Sequence, residues 1–387
     1  MNKTDILPSV ISLVRENIFW RKLYVFFACM ALLFYFFGHP ISGIEKVFYI
    51  PCGLSLFCSF FCGFKRDRLD VVLGLMVACA LVSALVNRNL SFSFASPTVR
   101  FILGIGCFNA IRKSDTSRIV NLINKCSFPL ILGFIFVEIP FLSQHRYIAY
   151  TGDPNYLAMG ITLIAALNMC SLSGVRNLSE RCLSCVVLLF CFLIVIATMS
   201  RIGLTGLIML YLCFIYYVLK KRLSSNLAIS VVSVIALAVI VLFAINTGDY
   251  PLSRFSISDR DGINSIISRF SQIDGVLQYF IGNPADLLTG IGLDAKAVDI
   301  PAYGSLAHHC VHNTFFQVLL HLGIIGWLVF MFFLFCVCKQ VILQRSYIKI
   351  GLLIAIILNI NSIPSLTSLV FWWGVFFLMG GQKGEVV

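Results

Sequence analysis

Apolar residues run through this chain in long blocks separated by short polar breaks. The blocks cover roughly residues 20–38, 47–64, 70–86, 95–111, 124–142, 155–173, 183–199, 202–219, 227–245, 314–338, 347–362 and 365–380. A hydrocarbon core of about 30 Å takes about 20 apolar residues per helix. The pattern therefore predicts an all-α polytopic membrane protein with twelve transmembrane helices. A membrane β-barrel would instead alternate apolar and polar residues in short strands. The fourth block is interrupted by Arg100 and begins at Pro97.

One stretch breaks the rhythm. Residues 246–313 form a long segment between spans nine and ten. Loops beyond about 15 residues are usually functional. Within it, Ile263, Ile266, Ile267, Phe270, Ile273, Val276, Leu277 and Phe280 recur at helical spacing. Such an amphipathic helix lies on a membrane surface or packs on the bundle.

Composition agrees with the pattern: 59% of the 387 residues are hydrophobic and 12% charged, against about 45–50% and 25% in soluble domains. A soluble globular enzyme, a disordered chain and a disulfide scaffold are excluded. The 15 cysteines lie mostly inside apolar blocks, where cysteine acts as a small hydrophobe. The first block follows a basic stretch with no small-residue cleavage site after it, and reads as a retained span.

The net charge of +12 reads as topology, because basic residues stay in cytoplasmic loops. With the N-terminus inside, alternate loops and both termini carry 20 of the 29 basic residues. Both termini are then cytoplasmic, residues 1–387 form a single membrane domain, and 246–313 is a large periplasmic loop. No basic run with interleaved aromatics points to nucleic acid.

The candidate chemistry gathers on the outer side. Asp153 and Asn155 open span six, Arg201 sits at the end of span seven, and Arg254, Arg260 and Arg269 lie in the long loop. His312 and Asn313 close that loop. Arginine matches phosphate oxygens in a two-pronged geometry, and a diphosphate-linked lipid would supply that anion at this depth. Lipid phosphate is the competing partner for each guanidinium, Arg100 included. An imidazole can take a proton from a hydroxyl near neutral pH, which makes His312 the general-base candidate. A structural hydrogen-bonding role is the alternative. Asn313, Gln317 and His321 share one helix face, a polar stripe that points to span ten lining a site. His308, His309, Cys310 and His312 could suggest a metal, but no second ligand cluster supports one, and no metal or other cofactor is expected. Phosphate-loop, zinc-protease and serine-hydrolase motifs are absent.

Four segments carry a family resemblance: Ser200-Arg201-Ile-Gly203; Ser268-Arg269-Phe with Asn283-Pro284 and Gly290-Ile-Gly292; His312-Asn313 with Gly323 and Gly326; and Gly152-Asp153-Pro154-Asn155-Tyr-Leu-Ala158. In order, spacing and shared side they resemble the bacterial O-antigen polymerase and O-antigen ligase superfamily of membrane glycosyltransferases, over about residues 150–330. The Asp-Pro-Asn segment resembles the polymerases. The ligase-type Arg-x-x-x-Leu pattern is not met at Arg201, where Thr205 stands in the last place.

The resemblance implies glycosyl transfer from a glycan on undecaprenyl diphosphate, at the periplasmic face of the bacterial inner membrane. Transfer would invert the anomeric centre without a metal. Arg201 and Arg269 would hold the diphosphate, and His312 would act as base. Arg254, Arg260, Arg100, Asp153, Asn155 and Asn313 would contact substrate. Membrane lipid, a chain-length regulator and a flippase are the further partners implied. Three functions remain in play: a polymerase joining repeat units, a ligase moving glycan to lipid A core, and a twelve-span transporter or lipid-linked glycan flippase.

Overall fold

The computed structural model describes residues 17–33, 49–91, 96–138, 153–172, 178–220, 260–295, 297–300, 304–307 and 311–381. The helices are α1 (17–33), α2 (Tyr49–Phe61), α3 (Arg68–Val86), α4 (Pro97–Phe108), α5 (Thr116–Glu138), α6 (Pro154–Leu172), α7 (Leu178–Ala197), α8 (Arg201–Lys220), α9 (Arg260–Gly282), α10 (Asp286–Thr289), α11 (Thr314–Leu343), α12 (Tyr347–Ile360) and α13 (Leu369–Met379). A 3-10 turn, Asn109–Lys113, follows α4. Each predicted apolar block except 227–245 overlaps one of these helices; 227–245 lies outside the described residues. Among the described residues five helices are long and apolar enough to cross a membrane: Arg68–Val86, Pro154–Leu172, Ser179–Ala197, Arg201–Lys220 and Thr314–Leu343.

One correction to an all-helical reading is small. Strands β1 (Ala297–Ile300) and β2 (Gly304–Ala307) pair as an antiparallel hairpin inside the long loop. The segment is too short for its alternation to stand out from the surrounding polar residues.

Helix α6 is apolar all round, and it is buried from Leu157 to Leu172, as such a helix must be. Polar networks tie the two ends of the bundle. At one end Asp67 caps α3, and Arg112 forks between Asp67 (2.5 Å) and Asp70 (2.6 Å). Thr116 Oγ1 donates to Gly381 O (3.1 Å), Gln340 to Met379 O (2.6 Å), and the buried Lys349 to Gly380 O. At the other end lie Asn87, Ser96, Asp153, Ser200 and the 361–368 turn. The helices from α3 to α8 therefore run in alternating directions.

The tenth predicted block is not one straight helix. Gly323 has φ 67° and ψ −174° inside α11, a conformation open essentially to glycine alone. The break folds the chain back: Phe315 and Phe330 stack edge to face at 6.1 Å, although 15 residues of continuous helix would set them about 22 Å apart. The break frees carbonyls that the ladder would have used, and they must find other donors. Ile291 N–H donates to Leu320 O (3.0 Å), while Gly292 N–H (3.0 Å) and Ser83 Oγ (2.8 Å) donate to His321 O. Gly290 and Gly323 meet back to back. A Cβ on Gly290 would lie 2.4 Å from the His321 carbonyl carbon, and one on Gly323 2.4 Å from Leu288 O. The Gly-x-Gly segment is thus a backbone plug in a broken helix.

Candidate functional site

Five segments converge at the second end of the bundle. The first is the start of α6. Asp153 accepts the Asn155 N–H (2.7 Å) through its carboxylate and the Leu157 N–H (3.2 Å) through its carbonyl, the usual geometry of an N-terminal cap. The second is the tight turn before α8, where Met199 has φ 51°. Ser200 Oγ accepts the Gly203 N–H (3.0 Å) and donates to Asn155 Oδ1 (2.7 Å). Gly203 permits this approach, since a Cβ there would sit 2.3 Å from Ala158 Cβ. The Asp-Pro-Asn and Ser-Arg segments, about 45 residues apart in sequence, are therefore one unit in space. Arg201 is the half-buried first residue of α8.

The third segment is α9. Residues turn by about 100° along a helix, which sets Arg269 on the same side as Val276 and Phe280. Those two are buried against Ile291, Val311 and Leu320. Arg269 is drawn into the bundle by this packing, half-buried, with Nη1 donating to Ser362 Oγ (3.3 Å). The fourth segment is 311–313. Gln272 Oε1, one turn along α9 from Arg269, accepts the His312 N–H at 2.9 Å. The fifth is the turn 361–368. It is pinned by Thr314 Oγ1 to Ile363 O (2.7 Å), Ser365 N–H to Thr314 Oγ1 (2.9 Å), Leu366 N–H to Gln317 Oε1 (3.3 Å) and Tyr156 OH to Pro364 O (2.6 Å).

The electrostatics join three of these groups. Burial pushes the His312 imidazole below its usual range, the Arg269 charge pushes the same way, and Asp153 opposes both. Burial also lowers Arg269, again against Asp153, but a guanidinium stays charged throughout. A cation, an imidazole kept neutral near pH 7 and the Asp153 side chain thus form one cluster. Such a cluster can bind an anion and accept a proton.

Other predicted residues fall elsewhere. Arg100 is exposed on α4 and interacts with the Tyr49 hydroxyl; no described contact joins it to the Arg269 cluster. Asn313 spends its side-chain oxygen capping α11 through the N–H groups of Phe315 (2.9 Å) and Phe316 (3.3 Å). The polar face of Asn313, Gln317 and His321 is a correction: Gln317 and His321 are buried, and His321 Nδ1 pairs with Gly292 O at 2.8 Å. That face is spent on holding the turn and the loop because the broken helix exposes backbone that needs partners. Arg260 begins α9. Arg254, His308, His309 and Cys310 lie outside the described residues. Among the described residues no group of three or more His, Cys, Asp or Glu is arranged to hold a metal.

Ser362 and Gln272 are the site residues that the sequence pattern did not single out. The signal for Ser362 was the run Asn361-Ser362-Ile363-Pro364-Ser365, an unusually polar turn where two apolar blocks meet.

Residues 186–331 match the O-antigen ligase family. The match supports membership of the O-antigen ligase and polymerase superfamily, and it spans Arg201, Arg269, His312 and the Gly290–Gly323 plug. No curated protein matches the chain.

Proposed function

We propose that this chain is an O-antigen or related surface-polysaccharide polymerase of the bacterial inner membrane. It carries twelve spans with both termini cytoplasmic and the Arg269 cluster at the periplasmic face. The donor is a glycan on undecaprenyl diphosphate. The acceptor is the terminal sugar hydroxyl of a second lipid-linked unit.

The observation that carries the reading is the convergence of Arg269, His312 and Asp153, which come from three of the four family-like segments: one turn of α9 holds Arg269 on Ser362 and Gln272 on the His312 N–H, and Asp153 acts on both. The acceptor oxygen attacks the anomeric carbon from the face opposite the diphosphate. The new carbon–oxygen bond forms as the carbon–oxygen bond to the diphosphate breaks. His312 takes the hydroxyl proton. Undecaprenyl diphosphate leaves with the bonding pair, and Arg269 and Arg201 stabilise its added charge. Fixed guanidinium groups supply that stabilisation without a metal.

The second reading is O-antigen ligase, with lipid A core as acceptor. The family description itself favours it, while Thr205 and the Asp153-Pro154-Asn155 segment favour polymerase. A transporter has less support, since the charged groups of the described residues gather at the two ends of the bundle instead of lining a path through it.

A silver-stained lipopolysaccharide gel of a deletion strain separates these readings. A polymerase loss leaves core capped with one repeat unit, and the wild-type gene restores the ladder. Bare core would favour ligase, and an unchanged ladder would refute both.

A further inference from the structure

Helix α9 has two apolar sides, and only one is covered. Val276 and Phe280 pack on the bundle. Ile267, Phe270, Leu277 and Ile281 fall within one quadrant of the helix and are exposed, Phe270 at 68% and Ile281 at 73%. Leu287 and Leu288 on α10 continue this surface at 39% and 57% exposure.

The break in α11 fixes where that surface stands. From Ile324 to Leu343 the helix is unbroken, and its roughly 20 residues span about 30 Å, the thickness of a hydrocarbon core. Gly323 therefore marks the outer boundary, and Leu288 O lies against it. Below Gly323, α11 presents Ile325, Leu328, Phe332 and Phe335 outward, each at least half exposed. The outer end of α3, which packs on α11, presents Val82, Leu85 and Val86 in the same way. On a membrane-spanning bundle these rows face acyl chains, and the α10 leucines continue them at the level of Gly323.

The turn 361–368 gives an independent depth. Helix α12 has 14 residues and α13 has 11, or about 21 and 17 Å of rise. Neither crosses the core, so the turn between them, with Ser362 only 1% exposed, lies below the outer boundary. Irregular backbone at that depth is tolerated only inside protein or against a polar cavity.

We propose that Ile267, Phe270, Leu277, Ile281, Leu287 and Leu288 form a lipid-binding surface that seats α9 in the outer leaflet, over a site floor sunk below the headgroups. The partner is the acyl and glycerol region of a phospholipid surface. Gln278 borders the apolar quadrant, and Asp274 lies within it, half-buried, between Ile267 and Ile281. The proposal rests on the chain spanning a membrane, and does not depend on glycosyl transfer.

The test is photolabelling of the full-length protein in phospholipid vesicles carrying a diazirine in the acyl chain, with adducts mapped by mass spectrometry. Adducts are expected on the α9 and α10 residues at a yield within about threefold of Ile325 and Leu328. Labelling of Ile325 and Leu328 with α9 and α10 spared at least tenfold would overturn the proposal. So would protection of α9 by a second copy of the chain, seen as intermolecular cross-links through Phe270. As a second measurement, a Phe270→Glu, Ile281→Glu variant should lose α9 adducts at least fivefold and keep those on Ile325. Unchanged α9 labelling in that variant would count against the surface.

Discussion

Arg269 and Ser362 are 93 residues apart in the chain, and the guanidinium donates from Nη1 to the buried serine hydroxyl at 3.3 Å. One of the five guanidinium N–H bonds is thereby committed to the 361–368 turn, which fixes the direction of the remaining fork. Ser362→Ala should cut polymer formation roughly tenfold, about 1.4 kcal/mol, chiefly through the rate, with normal protein level. Ser362→Thr, which keeps the hydroxyl, should restore most of it. Equal activity of the alanine and threonine variants in a reconstituted assay would remove Ser362 from the site.

Asn155 and Ser200 make the second long-range link. Ser200 also caps α8, and loss of a cap costs about 1 kcal/mol. Ser200→Ala should therefore lower both thermal stability and activity. Asn155→Ala leaves the cap in place but frees the Ser200 hydroxyl and the Arg201 turn. It should shorten chain lengths on a lipopolysaccharide gel while melting within about 2 °C of wild type, the scale of a loss under 1 kcal/mol in a large domain.

The pH profile carries a sign. His312 titrates below the usual histidine range because burial and Arg269 disfavour its charged form. The neutral base is present above that lowered pKa, so activity should persist into mildly acidic solution and fall as pH drops through it. Asp153 opposes the shift. Asp153→Asn keeps an oxygen to cap α6 but removes the charge, so the acid limb should move to lower pH. Movement to higher pH, read from a rate profile, would contradict the placement of Asp153 beside His312.

Gly323→Ala tests the plug. Holding alanine at φ 67° and ψ −174° costs about 1–3 kcal/mol, and its Cβ would strike the Leu288 carbonyl. The variant should melt lower and lose protection from proteolysis in the long loop. Gly282→Ala, at an open position, should leave both unchanged.

Much of the fold was legible because its signals are long. Blocks of about 20 apolar residues announce helices whatever packs around them, and the spacing from Ile263 to Phe280 marked α9 correctly. The cluster was legible in part: Asp153, Asn155, Arg201, Arg269 and His312 do gather at one end. What escaped was set by single residues whose meaning is geometric. Gly323 sits in an unbroken apolar run, and nothing local distinguishes it from Gly326, which the structure leaves helical. Gln317 and His321 looked like a site-lining stripe because periodicity reports a shared face and not what covers it. Ser362 was hidden for the opposite reason: its partner lies in another element, and only the fold brings the two together.

The central claim is best tested with purified protein in vesicles, given an undecaprenyl-diphosphate-linked repeat unit. Product length and free undecaprenyl diphosphate are read together by mass spectrometry. Wild type should give a ladder with one undecaprenyl diphosphate released per bond formed. Arg269→Ala and His312→Ala should each lower the rate at least a hundredfold with the fold intact. A ladder of unchanged rate from Arg269→Ala, or no release of undecaprenyl diphosphate by wild type, would contradict it.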